Sequence, residues 1–208
     1  MESIVVWRRP VKRGPHTPLV VLLHGRGADE NDLIDIADTL PTTFVYASIR
    51  APVALPEGGY NWFESRGVAR PVAQSLRASM DALRAWLDGS EPAQYNRERT
   101  YLLGFSAGMM MASALLLDDP ARFAGAALLS GAIPFDAGIE ALPQRLEGKP
   151  VFYGRGSLDD VIPKELVMRT ERYLRERSGA QLLLRDYPHG HSISEHELED
   201  ISDWIESH

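Results

Sequence analysis

The sequence predicts an α/β fold, with a mostly parallel central sheet, helices on both faces and no large lid domain. Three observations carry that expectation. Apolar runs of strand length alternate with longer segments of helical period, the order that parallel strands joined by covering helices require. Several runs are apolar at nearly every position, as strands buried on both faces are. One helical segment is apolar or small all round, which places it inside the core.

The first two strands are expected at residues 19–23 (LVVLL) and 44–49 (FVYASI). Residues 51–59 are rich in proline and glycine and read as loop. Val72, Leu76, Ser79, Met80, Leu83, Trp86 and Leu87 then recur at the spacing of one helix face, and Gly89 follows where a C-terminal glycine belongs. A strand at residues 100–103 leads into the all-apolar helix of residues 107–117, in which Met109, Met110 and Met111 read as core. Further strands are expected at residues 124–129, 150–153 and 181–186. Leu166, Val167, Thr170, Tyr173 and Leu174 form a helix face between Pro163 and Gly179, with proline near the start and glycine past the end. Ser194 with Glu197 three residues on reads as a capping box that opens a last helix through Leu198, Ile201 and Ile205. No repeat or polar linker divides the chain, so residues 1–208 are expected to form a single domain.

Composition excludes several function classes. A formal net charge of −7 supplies no positive field for nucleic acid or an anionic membrane. The densest basic stretch, residues 169–177, is interleaved with Glu171 and Glu176 and reads as a solvated helix face. The absence of cysteine removes disulfides, thiolate metal sites and cysteine nucleophiles. Met1-Glu2-Ser3 is an acidic start, and Arg8-Arg9-Pro10 interrupts the apolar run of residues 4–7. Neither a leader nor a membrane span is therefore expected, and a cytoplasmic location is the default.

Gly104-Phe105-Ser106-Ala107-Gly108 lies between a strand and the buried helix, the context in which G-x-S-x-G forms a nucleophile elbow. The glycines have a steric role, because a Cβ at either position would crowd a sharp turn. A serine hydroxyl needs a base, and the base needs a carboxylate to fix its tautomer. In hydrolases with this elbow the chain order is serine, acid, histidine. Of the histidines after Ser106, His196 lies in a helix and His208 is terminal, which leaves His189 and His191. His191 is preferred because Gly190 frees the loop to aim it. The acid should follow a strand that precedes this loop; Asp159 and Asp160 both have that address, and either could instead cap the next helix. The oxyanion would take the backbone N–H of Ala107 and, from the early loop of residues 22–29, that of Arg26. His24 precedes the serine and is read as a histidine that orders its loop.

These motifs, taken with Ser48-Ile49-Arg50-Ala51-Pro52, Gly59-Tyr60-Asn61-Trp62-Phe63, Asp159 to Pro163 and Gly190-His191-Ser192, form a pattern that resembles the phospholipase/carboxylesterase family of α/β-hydrolases, related to acyl-protein thioesterases. The resemblance covers nearly the whole chain. It implies the α/β-hydrolase fold, a serine carboxylesterase acting on a small-molecule ester, Asp159 as the acid and His191 as the base. It also suggests that Tyr60, Trp62 and Phe63 line the substrate pocket, with core packing as the other reading for Trp62. No cofactor or metal is called for, and a homodimer would accord with the family. Arg155 stands where the family often has histidine, and Arg26 where its lipid thioesterases often carry an apolar residue. Both departures favour short to medium acyl chains. Thioesterase, lysophospholipase and other acyl-transfer chemistry on the same residues stay open, as does a non-catalytic binding role on the same scaffold.

Overall fold

The computed structural model describes residues 4–208; the acidic start at residues 1–3 lies outside them. Seven strands form one sheet: β1 (Val5–Arg8), β2 (Pro18–Leu23), β3 (Val45–Ile49), β6 (Asn96–Phe105), β7 (Gly125–Leu129), β8 (Pro150–Gly156) and β9 (Gln181–Tyr187). Their order across the sheet is β1-β3-β2-β6-β7-β8-β9. All neighbours are parallel except β1, which runs antiparallel to β3 and closes that edge. Between β3 and β6, a small antiparallel pair, β4 (Val53–Ala54) and β5 (Tyr60–Asn61), folds within and just after the segment expected to be loop.

Alternation along the buried strands divides the core into two layers. Leu19, Val21 and Leu23 of β2 face one side with Val151 and Tyr153 of β8. Three helices cover this layer: α1 (Ala73–Leu87), α2 (Ala107–Asp118) and α3 (Lys164–Glu176). Val20 and Leu22 face the other side with Phe152, beneath Ile201, Trp204 and Ile205 of α4 (Glu195–Glu206) and a short 3-10 turn at Ile34–Asp38. This is the α/β-hydrolase architecture, with helices on both faces. Helix α2 is buried from Ala107 to Leu117, because it runs over β6, β7 and β2 beneath the neighbouring elements. The three consecutive methionines are core. At α4, Ser194 accepts from the Glu197 N–H at 3.2 Å, but the Glu197 carboxyl does not return the bond. That is half of the expected capping box.

One close approach decides where the parallel strands and α2 can meet. A Cβ on Gly108 would stand 1.8 Å from the carbonyl oxygen of Leu23, and one on Gly104 would stand 2.3 Å from that of Gly108. Gly108→Ala is expected to lower unfolding free energy by about 3 kcal/mol, the upper range for overpacking in a tight core. Urea unfolding of the variant beside the wild type measures this, and an unchanged midpoint would mean the helix slides away at little cost.

Candidate active site

Strand β6 ends at Phe105 and α2 begins at Ala107, so Ser106 takes the whole turn on one residue, at φ 56° and ψ −114°. A non-glycine residue in that region costs on the order of 1–3 kcal/mol and persists only where its surroundings hold it. Here the Ser106 N–H donates to the Leu129 carbonyl at 2.9 Å, and the Ser106 carbonyl accepts from Met110 N–H at 3.2 Å. The turn is thus tied to β7 on one side and to the first helical turn on the other.

The sheet's C-terminal edge brings the expected residues together. Ser106 Oγ lies 2.9 Å from His191 Nε2, and His191 Nδ1 lies 2.7 Å from Asp159 Oδ2. Asp159 divides its oxygens: Oδ1 accepts from the Val161 N–H at 2.9 Å and more weakly from that of Ile162, leaving Oδ2 for the imidazole. Its neighbour Asp160 is exposed. The side chains of Asp159 and His191 are 8% and 19% exposed, so the bonds between them are made largely out of water. The Phe105 ring packs against His191 with centroids 4.9 Å apart. Sequence reasoning passed over Phe105, since the second position of the motif carries no chemistry.

The two loops that carry Asp159 and His191 are joined to each other. Ser157 N–H donates to the Tyr187 carbonyl at 2.7 Å and Leu158 N–H to that of His189 at 3.0 Å. A Cβ on Gly156 would stand 2.2 Å from the Gly190 carbonyl oxygen. These contacts set the register of Asp159 against His191.

Among the described residues, the Arg26 and Ala107 amides donate to no backbone carbonyl or side chain, so both are free for a ligand oxygen. Ala107 opens a helix of 12 residues, whose terminal field favours negative charge. The Arg26 loop is held from beneath. His24 is fully buried, with Nδ1 2.7 Å from the Gly25 carbonyl and Nε2 accepting from Ala51 N–H at 3.1 Å, an arrangement that fixes the Nδ1–H tautomer. Burial holds its pKa below the usual histidine value. The loop's backbone pairs with the Tyr60 segment, Gly27 N–H to Tyr60 and Tyr60 N–H to Ala28, both at 2.9 Å. Gly59, at φ 71°, would strike Gly27 if it carried a side chain.

Two of the three expected pocket residues lie elsewhere. Trp62 and Phe63 are 1% and 2% exposed and belong to the core. Trp62 Nε1 donates to the His24 carbonyl at 2.8 Å, so it supports the loop from below and offers no surface to a substrate. Their aromatic character gave no hint of which way they face. Tyr60 is partly exposed; its ring lies under the Arg50 guanidinium, which forms a two-pronged ion pair with Glu30. That guanidinium holds the Glu30 carboxyl below its usual pKa. Arg26 pairs with Glu57 across the loop, and Arg155 pairs with Asp186 and Glu171. Among the described residues no group of three or more His, Cys, Asp and Glu side chains is disposed to hold a metal ion, and no helix is long and apolar enough to cross a membrane.

The sequence pattern of the phospholipase/carboxylesterase family matches residues 10–208. The Bacillus subtilis (strain 168) protein named "Putative hydrolase MhqD" is 30% identical over 194 residues, spanning 93% of this chain and 94% of that protein. A protein of Oryza sativa subsp. japonica named "Probable inactive carboxylesterase" is 28% identical over 212 residues, spanning 93% and 86%. In fold, the chain is similar to the Bacillus cereus carboxylesterase, with a TM-score of 0.84 at 23% identity, covering 99% of this chain and 94% of that one. With the family pattern matching residues 10–208 and a relative 30% identical over nearly its whole length, this chain belongs to the phospholipase/carboxylesterase family of hydrolases.

Proposed function

We propose that the protein is a serine carboxylesterase acting on small-molecule esters of short to medium acyl chain, with Ser106 as nucleophile, His191 as general base and Asp159 as its orienting acid. The observation that carries this reading is the run of two hydrogen bonds from Ser106 Oγ through His191 to Asp159. Ser106 Oγ attacks the ester carbonyl as His191 Nε2 takes its proton, and Asp159 stabilises the imidazolium. The Arg26 and Ala107 N–H groups hold the oxyanion, each worth about 3 kcal/mol in the transition state. Collapse breaks the C–O bond, and His191 returns its proton to the departing alkoxide. A water deprotonated by His191 then attacks the acyl-enzyme, and the acid leaves as Ser106 regains its proton. Arg26, paired with Glu57, stands where the family's lipid thioesterases often carry an apolar residue, which supports the preference for shorter chains.

Hydrolysis of para-nitrophenyl esters from acetate to palmitate, with a matched thioester alongside, tests this reading. Turnover highest on the shorter oxygen esters and lost in Ser106→Ala is expected. A preference for palmitate or for the thioester would move the assignment to a lipid thioesterase on the same residues. No turnover and no fluorophosphonate labelling, in folded protein, would sink the esterase reading. A second comparison separates the neighbouring acids. Asp159→Asn is expected to lower kcat by about 10⁴-fold, whereas Asp160→Asn, changing an exposed side chain, leaves it within about twofold. The reverse pattern would exchange their roles.

A further inference from the structure

His189 lies two residues from His191 and reaches the last helix. Its ring stacks on Tyr187, with planes 6° apart and centroids at 5.8 Å. Its Nδ1 is 2.9 Å from the Gly190 carbonyl oxygen and 3.4 Å from Ser192 Oγ. On the other side, Nε2 lies 3.4 Å from Oε2 of Glu197, a carboxyl with 0% of its side chain exposed. Strand β8 leaves room for that carboxyl only because residue 154 is glycine: a Cβ there would stand 2.3 Å from Glu197 Oε1. Neither Glu197 oxygen nor His189 Nε2 makes a hydrogen bond to any side chain or backbone group among the described residues, so the two buried groups face each other with no other polar partner.

The donors and acceptors at this site fix its proton count. A carbonyl oxygen only accepts, so the contact to Gly190 requires the proton on His189 Nδ1. A neutral ring in that tautomer turns a lone pair from Nε2 toward Glu197, and an ionised carboxylate would meet it with another. The contact is attractive only if one further proton sits between them, on Nε2 or on Oε2. The other titratable or charged groups nearby are Tyr187, whose hydroxyl donates to Asp200, Arg185 beside Asp200, and His196 edge-on to Tyr187; on β8, Gly154 and Phe152 lie against Glu197 and Gly156 against His189, all without charge. None of them reaches the Glu197 oxygens to take the place of that proton.

We propose that Glu197 and His189 share one buried proton, and that this proton locks the loop carrying His191, which makes both of them positioning residues for the reaction. The proposal rests on His191 being the general base. Burial, opposed by His189 and the nearby Ser194 amide, pushes the Glu197 carboxyl up to about 7 from an ordinary value of 4.5. The sign follows from that rise: its contribution to stability is complete below the ordinary value and is lost as pH climbs through the raised one. The lock therefore loosens on the alkaline side.

The test compares wild type with Glu197→Gln, whose amide donates to Nε2 without titrating, and with Glu197→Leu, which cannot donate. Wild-type kcat is expected to fall at alkaline pH. Glu197→Gln should abolish that fall, with kcat at neutral pH close to wild type. Glu197→Leu should lower kcat about tenfold across the pH range while KM stays within about twofold, the pattern of a misplaced base with binding intact. Urea unfolding at about pH 5 and about pH 8 reads the proton without recourse to activity: the wild type should lose stability relative to Glu197→Gln as pH rises. An alkaline fall unchanged in Glu197→Gln, wild-type kcat in Glu197→Leu, or a stability difference independent of pH would each overturn the proposal. If wild type fails to turn over esters or react with a fluorophosphonate, the esterase reading is what fails, and the unfolding comparison still decides the shared proton.

Discussion

The close crossing of α2 over the end of β2 is the constraint on which the rest of the site depends. Gly108 meets the Leu23 carbonyl where no side chain fits, so the helix start lies against the strand that feeds the Arg26 loop. Two free amides, one on the helix and one on the loop, share the same edge because of that contact. A crossing wider by one methyl group would move the helix start, and the amide it carries, away from the loop. The strained backbone of Ser106 belongs to the same arrangement. Its unusual dihedrals turn the chain from strand to helix within a single residue, and the bond to Leu129 keeps it from relaxing.

Asp159 and His191 answer to a different set of contacts. The loops after β8 and β9 are bonded to each other through Ser157, Leu158, Tyr187 and His189, and approach so closely at Gly156 that only glycine is accommodated. Asp159 and His191 therefore owe their mutual geometry to contacts that do not involve Ser106. The last helix meets the same loop through Glu197, whose carboxyl lies beside His189.

Much of this was legible in the sequence. Six strands and four helices follow from apolar runs and helical spacing, because burial on both faces of a parallel sheet leaves a strong pattern. The elbow was legible because its glycines have a steric cause that spacing alone reveals. What escaped were features set by tertiary contact. Strand β1 is four residues long and ends at Arg8, too short for alternation to register, and it exists because β3 offers an open edge. The pairing of β4 with β5 is local, but it is stabilised by the bridge from Tyr60 to Ala28, 32 positions earlier. The inward turn of Trp62 and Phe63 is likewise invisible in composition, since an aromatic side chain suits a pocket wall and a core equally well. The diversion of Glu197 from its cap could not be read either, because a capping-box spacing does not disclose a histidine waiting at the end of another loop.

The two margins of the sheet differ in a way that bears on self-association. At one margin the antiparallel β1 occupies the hydrogen-bonding groups of β3. At the other, β9 leaves a row of amides and carbonyls open beside Leu182, Leu183 and Leu184, a sequence that by itself would invite another chain to pair. The strand carries its own deterrents: Gln181 at its start, then Arg185 and Asp186, all exposed and polar or charged, so an incoming strand would have to lay its backbone along them. Self-association at the β9 margin is thus opposed by side-chain chemistry, whereas the other margin ends in only the four residues of β1, and loss of that short strand would expose β3, buried along its whole length and without such deterrents.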